Sequence, residues 1–384
     1  MDMRRKKILF VIPDYIHGGT NKTLENLLSF TDKSKYDVSI YCIREDGSAY
    51  YRDVFKPYVV RKSKLFYWLH DNRVTRKAYG FLMKTNSRFT WRFLYKYETG
   101  FLDKRHNYDI VVAYQEGSPT DFVYYFNSNL KISWFHSPSI KVLTLDLKDR
   151  TRVYSEFDKI VCVSDNFANQ FRKTIPSLAS KVVRIYNTMN AGLVNEMANS
   201  KIDDARFSSD GFTIISVGRF APMKQFELIP SIVDKIKRIA GIPSFRWYII
   251  ASGSECRLKT EMEIKRFGLE DVVVLLGAKD NPYPYMKNAD LFVSTSSTES
   301  FPTVINESKV LHTPVVSNNY PSAREIVDDR CGLICSLEDM PEIIGEMIID
   351  KDGIYSKLKR SISDYWYDNK SIMSQVGMLF DNKS

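Results

Sequence analysis

The 384-residue chain has few cysteines and no hydrophobic run long enough to cross a bilayer. Its five cysteines are odd in number and scattered, which argues against a disulfide framework and against the paired spacings of zinc sites. We therefore expect reduced thiols and a cytoplasmic protein. The first apolar run, residues 8–12, is too short for a signal peptide, so we predict that it forms a strand.

The sequence also lacks an Asp-x-Asp motif in a loop suited to binding a metal ion. Two acidic pairs, Asp203-Asp204 and Asp328-Asp329, are adjacent residues in contexts typical of a surface. We accordingly expect chemistry that needs neither a metal ion nor another cofactor.

Positive charge is concentrated in one part of the chain. Residues 56–108 hold thirteen Lys and Arg against three acidic residues, an excess that accounts for the whole net charge of +9. Aromatic residues are interleaved with them, as in sites for single-stranded nucleic acid or anionic membranes, and equally in paired amphipathic helices whose rings face the core. Among the functional interpretations we favour the membrane, since each Lys or Arg near anionic lipid contributes roughly 1 kcal/mol. Nothing else indicates nucleic acid.

Apolar strand-like segments alternate with helical segments along most of the chain, a pattern typical of parallel α/β units. Its length suits two domains of similar size. Two series of six strands are predicted: residues 7–12, 38–42, 110–114, 132–135, 159–163 and 182–186, then 212–217, 247–251, 272–276, 291–294, 315–317 and 332–335.

This alternation predicts an α/β protein with two Rossmann-like domains that face each other across a ligand-binding cleft. We place the first domain at residues 1–188 and the second at 189–363. Residues 189–210, rich in Asn, Ser and Asp, are interpreted as the hinge between them. The remaining residues, 364–384, are predicted to form a helix that returns to the first domain.

The strongest chemical signal is a pair of carboxylates eight residues apart, Glu299 and Glu307. Glu299 lies in the loop after the apolar run 291–294, and Glu307 lies about two turns along the helix that follows. A strand, a tight loop and a helix N-terminus direct backbone N–H groups at an anion. One carboxylate can hold the hydroxyls of a sugar while the other holds those of a ribose. The segment therefore suits a sugar nucleotide.

Two cations, Arg219 and Lys224, follow the first strand of the second series and precede a helix predicted to begin near Gln225. Cations that converge at the start of a helix would bind a diphosphate and neutralise it as it leaves. Surface charges on a connecting loop are the simpler alternative. The junction of Gly218 with Arg219 directly after a buried strand argues against it.

The first half offers weaker signals. Gly18 and Gly19 follow the first predicted strand, where glycine lets the backbone approach a phosphate or a hydroxylated acceptor, although such a pair is usually only a turn. His136 ends a later strand. A single histidine is more often structural, but this position directs it towards the cleft.

These loops together resemble the retaining, two-domain glycosyltransferases of the GT-B fold, family 4, known as glycosyl transferases group 1. The resemblance is clearest over residues 212–327, which contain the Gly218-Arg219 junction, the segment around Gly253, and the two glutamates in family order. It is looser in the first domain, where Gly18-Gly19 and Trp134-Phe135-His136 match in order and context.

The resemblance implies a role for each position. Arg219 and Lys224 would bind the donor diphosphate, Glu299 the hydroxyls of the donor sugar, and Glu307 those of the ribose. The expected catalytic residues are Arg219, Lys224, Glu299 and His136, and the expected substrate-binding residues are Gly18, Gly19, Gly253, Ser300, Phe301, Thr303, Val304 and Glu307. Backbone N–H groups near Thr303 and Val304 would contact the distal phosphate, and His136 would lie beside the transferred sugar.

Two positions depart from the family pattern. Ser300 stands where the family usually has glycine, which we expect to narrow the space for the sugar or to change which epimer fits. Ala251 replaces the first glycine of the usual Gly-x-Gly, whereas Gly253 is kept. Neither change removes a charged group, so we still expect activity.

We therefore expect metal-independent, retaining transfer of a hexose or N-acetylhexosamine from a nucleoside diphosphate sugar, foremost a UDP-sugar. The acceptor would be a glycan or a polyprenyl-diphosphate-linked glycan, in capsule or lipopolysaccharide assembly on the inner face of the plasma membrane, and small-molecule or protein acceptors stay open. Two alternatives stay open: a non-catalytic nucleotide-sugar-binding subunit and a sugar-nucleotide epimerase. A phosphorylase would need a lysine for pyridoxal phosphate, a pattern that is not evident.

Overall fold

The computed structural model describes residues 4–16, 18–70, 91–137, 140–208 and 210–381. Its chain forms two compact units: Met1–Thr188 with Asn369–Ser384, and Met189–Asp368. The centre of the basic segment, residues 71–90, lies outside the described ranges, as do His17 in the Gly18-Gly19 loop and Pro138 after the His136 loop. Every candidate site residue lies within them.

Each unit is built on a six-stranded sheet in which all described strand pairs are parallel. The strand order is β2-β1-β3-β4-β5-β6 in the first sheet and β12-β11-β10-β7-β8-β9 in the second. The strands are β1 (Lys6–Ile12), β2 (Tyr36–Cys42), β3 (Ile110–Ala113), β4 (Leu130–Phe135), β5 (Lys159–Cys162), β6 (Val182–Arg184), β7 (Phe212–Arg219), β8 (Phe245–Ser252), β9 (Val273–Gly277), β10 (Leu291–Ser294), β11 (Val315–Asn318) and β12 (Gly332–Cys335). The predicted α/β fold class is thereby confirmed.

Helices connect these strands in both units. In the described ranges they are α1 (Gly19–Phe30), α2 (Ala49–Phe55), α3 (Lys64–His70), α4 (91–106), α5 (Ser118–Val123), α6 (Lys141–Thr144), α7 (Leu147–Ser155), α8 (Asp165–Thr174), α9 (Ala191–Met197), α10 (Ile229–Lys237), α11 (Arg257–Arg266), α12 (Tyr283–Lys287), α13 (Thr303–Val310), α14 (Met340–Ile349), α15 (Ile354–Ser361) and α16 (Asn369–Phe380). Among the helices that the structure describes, we find none with the length and hydropathy of a membrane span.

Consecutive residues of the central strands are buried, so both faces of the sheets are covered there. All five residues of the apolar run 8–12 in β1 have no exposed surface, and Trp247 at the centre of β8 has none either. Continuous apolar runs are typical of strands covered on both sides, which is why the sequence pattern located them. All five cysteines are free thiols, and four of them are buried.

The terminal helix α16 packs on the first sheet. The ring of Phe380 lies edge-on to Phe10 and Tyr36, with centroid distances of 6.3 and 5.5 Å. Lys6 Nζ donates a hydrogen bond to the backbone oxygen of Phe380 at 3.0 Å. The helix begins at Asn369, five residues after the predicted start, because residues 362–364 form a 3-10 turn in the second unit.

The segment interpreted as the hinge, residues 189–210, belongs to the second unit. It contains α9, and Asn281 donates a hydrogen bond from its side chain to the backbone oxygen of Met197 at 2.8 Å. Further along, Asp204 forms ion pairs with Arg206 and Lys279. Its polar composition therefore reflects ordered surface contacts of this unit.

The described parts of the basic segment divide their aromatic rings between core and surface. Phe66 on α3 and Tyr95 on α4 are buried, and their rings stack with centroids 6.4 Å apart. By contrast, the exposed fractions are 53% for Tyr67, 54% for Trp68, 65% for Phe93 and 44% for Tyr97. Core packing therefore explains only some of these rings.

A buried carboxylate joins α4 to α3. Glu98 has no exposed surface, and its carboxylate accepts hydrogen bonds from the backbone N–H of Ser63 (2.9 Å), the Ser63 hydroxyl and the Tyr41 hydroxyl (3.1 Å). The hydroxyl of Ser63 in turn accepts a hydrogen bond from the backbone N–H of Phe66 at 3.1 Å.

Replacing Glu98 with alanine is expected to lower the free energy of unfolding by about 3 kcal/mol, because buried donors lose their acceptor. Glutamine at this position keeps one acceptor oxygen and should cost less. Urea denaturation of both variants measures the difference. Equal losses for Ala and Gln would contradict this role.

Candidate active site

In the second unit, the candidate residues follow strands that are neighbours in the sheet. β7 leads to Arg219 and Lys224, and β10 leads to Glu299. These strands are adjacent in the order β11-β10-β7-β8, so their carboxyl ends meet at one edge of the sheet. In open parallel sheets ligands bind at that edge.

Lys224 and Glu299 are in direct contact. Nζ of Lys224 forms an ion pair with Oε1 of Glu299, and only 14% and 15% of the two side chains are exposed. The hydroxyl of Ser296 donates a hydrogen bond to the same carboxylate oxygen at 2.9 Å. A cation and a carboxylate that the sequence assigned to different parts of a donor are thus paired with each other.

Hydrogen bonds to backbone oxygens hold the loops that carry this pair. They join the loop after β7 to the loop after β10, and the latter to the segment after β11. The bonds run from Thr295 Oγ1 to the oxygen of Lys224 (2.7 Å), from the N–H of Ser297 to the oxygen of Met223 (2.8 Å), and from Ser322 Oγ to the oxygen of Glu299 (2.6 Å). Both charged residues therefore have a fixed backbone.

Gly218 makes room for the side chain of Lys224. A Cβ at this position would lie 3.2 Å from Cε of Lys224 and 3.3 Å from Cζ of Phe226. Arg219, the last residue of β7, is exposed, and no carboxylate in the described chain pairs with its guanidinium. Of the two predicted diphosphate-binding cations, one is paired and one extends into solvent.

The helical structure predicted near Gln225 begins at the next residue, first as a 3-10 turn and then as α10. Residues 222–224 form one 3-10 turn, Gln225 has a left-handed backbone with φ of +51°, and a second 3-10 turn at Phe226–Leu228 leads directly into α10 at Ile229. Pro222 at the start of the turn and Pro230 in the first turn of α10 favour this break. Helical structure therefore does begin near Gln225, and the two cations precede it: Arg219 ends β7, and Lys224 lies on the 3-10 turn before Gln225.

The N-terminus of α13 lies four residues after Glu299. Thr303 and Val304 form its first turn and are partly exposed, and no side chain caps this end. First-turn N–H groups have no partner within a helix, and the helix dipole favours an anion there. Ser300 is partly exposed and Phe301 is buried. The segment thus combines a carboxylate with backbone donors.

Glu307 lies on the buried side of α13, with 3% of its surface exposed. Its Oε1 accepts a hydrogen bond from the hydroxyl of Tyr283 on α12 at 3.4 Å.

Gly253, directly after β8, has φ of +83°, a backbone conformation that favours glycine. Ala251, the departure from the family pattern, is buried within β8.

In the first unit, Gly18 and Gly19 stand at the start of α1. The side-chain amide of Asn21 donates hydrogen bonds to the backbone oxygens of Asp14 (3.1 Å) and Ile16 (2.9 Å), which fixes the preceding loop. Gly18 is extended, and a Cβ at either glycine would meet nothing within 4 Å. The two glycines therefore leave open space at this helix N-terminus.

The loop of His136 depends on a residue that the sequence analysis missed. The carboxylate of Glu116 accepts a hydrogen bond from the backbone N–H of His136 at 3.0 Å, and burial raises the pKa of Glu116. The His136 ring lies 4.8 Å from the ring of Tyr114, between centroids. Glu116 comes just after β3 and before Gly117, whose φ is +85°. The sequence signal that could have identified Glu116 was a carboxylate beside a glycine at the end of a strand.

His136 should make stability depend on pH. Burial lowers its pKa from 6.5 to about 3, and its Nε2 is buried without a hydrogen-bond partner in the described chain. Because the unfolded chain binds a proton here below about pH 6.5 and the folded chain does not until about pH 3, stability falls as pH decreases through this window.

The matched variant is His136→Asn, which does not titrate. Between about pH 7.5 and about pH 5, the wild type should lose on the order of 2 kcal/mol more unfolding free energy than this variant. Urea denaturation at both pH values gives the difference. Glu116 titrates in both proteins, so its contribution cancels. If the wild type and the variant lose the same unfolding free energy, His136 is protonated in the folded protein at the lower pH, contrary to the prediction.

Neither unit offers an evident metal site within the described ranges: no three His, Cys, Asp or Glu side chains cluster as metal ligands there.

Residues 199–349, most of the second unit, match the family model "Glycosyl transferases group 1". The chain is 25% identical to an uncharacterized glycosyltransferase of Methanocaldococcus jannaschii over 68% of its own length and 62% of the relative.

A second relative is an N-acetylgalactosaminyltransferase of Campylobacter jejuni, whose name specifies a diphospho-undecaprenol-linked substrate. It is 33% identical over 33% of each chain. The chain thus spans less than two thirds of the length of these two curated relatives.

The crystal structure of Anabaena HepE in complex with UDP and glucose matches with a TM-score of 0.72 at 16% identity. The match covers 98% of this chain and 100% of that one. At such identity the match establishes the fold alone. The chain therefore has the GT-B fold of two Rossmann-like units, and its second unit carries the glycosyl transferases group 1 match.

Proposed function

We propose that this protein is a glycosyltransferase that moves a sugar from a nucleoside diphosphate sugar to a hydroxyl of a glycan. The observation that carries the proposal is the contact of Lys224 with Glu299 at the carboxyl edge of the second sheet, four residues before the uncapped start of α13. A cation and backbone donors suit a diphosphate, and a carboxylate suits sugar hydroxyls. The family match over residues 199–349 supports the same reaction.

The donor in this proposal is a UDP-sugar with a hexose or N-acetylhexosamine, and the transfer retains the anomeric configuration. Arg219, Lys224 and the N-terminus of α13 offset the charge that develops on the diphosphate, the task a divalent cation performs in other enzymes. The bond from the anomeric carbon to the phosphate oxygen breaks while the acceptor oxygen bonds to that carbon on the same face. The proton of the acceptor hydroxyl passes to the leaving phosphate oxygen.

Residues of the first unit take supporting roles in this proposal. His136 remains neutral at physiological pH, because burial lowers its pKa to about 3, so its ring can exchange a hydrogen bond with the transferred sugar. Gly18 and Gly19 leave the open space that an acceptor or a phosphate would need. The UDP and glucose in the Anabaena HepE structure support a UDP-sugar as donor.

The acceptor is proposed to be a glycan on polyprenyl diphosphate, in capsule or lipopolysaccharide assembly, as the name of the Campylobacter relative suggests. The first unit has a cavity of about 460 Å³ that is lined by aromatic and charged side chains, which suits sugar rings and their hydroxyls. Its lining includes Trp91, Tyr95, Tyr124, Tyr125, Arg92, Asp121, Asp149, Arg150 and Arg152.

The exposed rings of α3 and α4 would place such an enzyme on the inner face of the plasma membrane. Phe93 and Tyr97 lie one turn apart on α4, with exposed Arg92 and Lys96 beside them. Rings and cations on one helix suit an anionic membrane. The protein should sediment with vesicles of phosphatidylglycerol and phosphatidylcholine, and Phe93→Ser with Tyr97→Ser should weaken this. Equal sedimentation with phosphatidylcholine alone would contradict it.

The deciding experiment measures thermal stabilisation by UDP, GDP, ADP and their common sugar conjugates, with and without EDTA. A shift with one nucleotide that EDTA does not change supports a diphosphate site that needs no metal ion. Transfer or donor hydrolysis by the isolated chain then distinguishes the enzyme from a non-catalytic binding subunit. No shift with any nucleotide would overturn the proposed function.

A further inference from the structure

The ion pair between Lys224 and Glu299 has a consequence for donor binding. The proposed function assigns Lys224 to the diphosphate and Glu299 to the sugar. In the structure the two side chains instead form an ion pair with each other, and both are mostly buried. A diphosphate that reaches Lys224 must therefore compete with the carboxylate of Glu299.

We propose that the donor exchanges this ion pair: the diphosphate takes Lys224 from Glu299, and the released carboxylate then accepts the sugar hydroxyls. The inference rests on the proposed function and deepens it. The nucleotide and sugar portions of the donor are thereby coupled. A nucleoside diphosphate alone leaves Glu299 without a cation, whereas the complete donor supplies hydroxyl groups in its place.

The surroundings allow Lys224 to move while Glu299 stays. Glu299 has two further anchors, the Ser296 hydroxyl on Oε1 (2.9 Å) and the Ser322 hydroxyl on its backbone oxygen (2.6 Å). The backbone of Lys224 is held by Thr295, but its side chain lies over Gly218, where no Cβ obstructs it. Only the lysine side chain has to turn. Ser296 is in this scheme a positioning residue for Glu299.

The test measures UDP binding by isothermal titration calorimetry. Glu299→Gln should bind UDP about tenfold more tightly than the wild type, because UDP no longer competes with a carboxylate for Lys224. Asp234→Asn is the matched control, since it removes an ion pair with Arg238 on the surface of α10 in the same unit. Its UDP affinity should equal that of the wild type.

A double mutant separates this exchange from general charge repulsion. If Glu299 acts through Lys224, the gain from Glu299→Gln disappears when Lys224 is methionine. A gain that persists in the Lys224→Met background would show that Glu299 only repels the phosphates, and it would overturn the inference. So would equal or weaker UDP binding by Glu299→Gln.

The complete donor gives a second readout. In the wild type the UDP-sugar that best stabilises the protein should bind more tightly than UDP, and this ratio should fall in both Glu299→Gln and Ser296→Ala. A merely structural role of Ser296 would lower both affinities equally and leave the ratio unchanged, contrary to the inference. If UDP, GDP and ADP all fail to bind the wild type, the proposed function itself fails. Binding without a gain in Glu299→Gln overturns the exchange alone.

Discussion

Arg219→Ala is expected to lower kcat/KM for sugar transfer by roughly two to three orders of magnitude and to leave the melting temperature unchanged. Removal of one preorganised donor to a developing oxyanion has an effect of that size. The guanidinium is exposed, and no carboxylate in the described chain pairs with it, so folding loses nothing when it is removed. The Arg219→Ala variant should therefore lose activity without any loss of stability.

Arg238→Ala is the matched control, since Arg238 is an exposed arginine of the same unit that follows α10. It should transfer sugar at the wild-type rate. Steady-state kinetics and thermal denaturation of both variants decide the matter. Near-normal turnover by Arg219→Ala would remove this residue from the diphosphate site and leave Lys224 as the only cation assigned to it.

Lys224 cannot supply so clean a test. Its removal leaves the carboxylate of Glu299 largely buried without its cation, which costs stability as well as activity. The two cations of the loop therefore differ in kind. Arg219 is available to bind a ligand and does not stabilise the fold, whereas Lys224 stabilises the fold through its ion pair with Glu299 until a ligand competes for it.

The strands were predictable because parallel strands covered on both faces require continuous apolar runs. The runs at β10 and β12 were predicted with their observed bounds, and the ends of the others differ by at most two residues. The turn after β7 was harder. The charge pattern placed Arg219 and Lys224 at the end of a strand and before a helix, but the left-handed Gln225 divides the start of that helix into two 3-10 turns, and the α-helix itself begins at Ile229. The periodicity of apolar residues along the sequence does not predict that a single residue has a positive φ.

The contacts within the site were not predictable from the sequence. Lys224 and Glu299 are 75 residues apart, and their pairing depends on β7 and β10 being neighbours and on the rotamers of two long side chains. Glu116 was missed for a related reason. Its partner is a backbone N–H of the loop after β4, and the available signal, a carboxylate beside Gly117 at a strand end, does not identify that partner. The sequence located the loops, whereas strand order determined which of their residues meet.

Glu307 offers a test of the nucleotide end of the site. Glu307→Gln should weaken UDP binding by about ten- to a hundredfold, because hydroxyl groups lose a charged acceptor. The residue is buried on α13, and glutamine has nearly the same shape, so the helix should remain in place. Isothermal titration calorimetry with UDP measures the loss.

A comparison of UDP with 2′-deoxy-UDP shows whether the loss arises at the ribose. The wild type should discriminate strongly between the two ligands, and Glu307→Gln should discriminate little, since the carboxylate that distinguishes them is gone. Tyr283→Phe is the matched control: it removes the hydroxyl that donates to Glu307 but keeps the carboxylate, so discrimination should persist. If Glu307→Gln weakens both ligands by the same factor, Glu307 supports α13 without contacting the ribose.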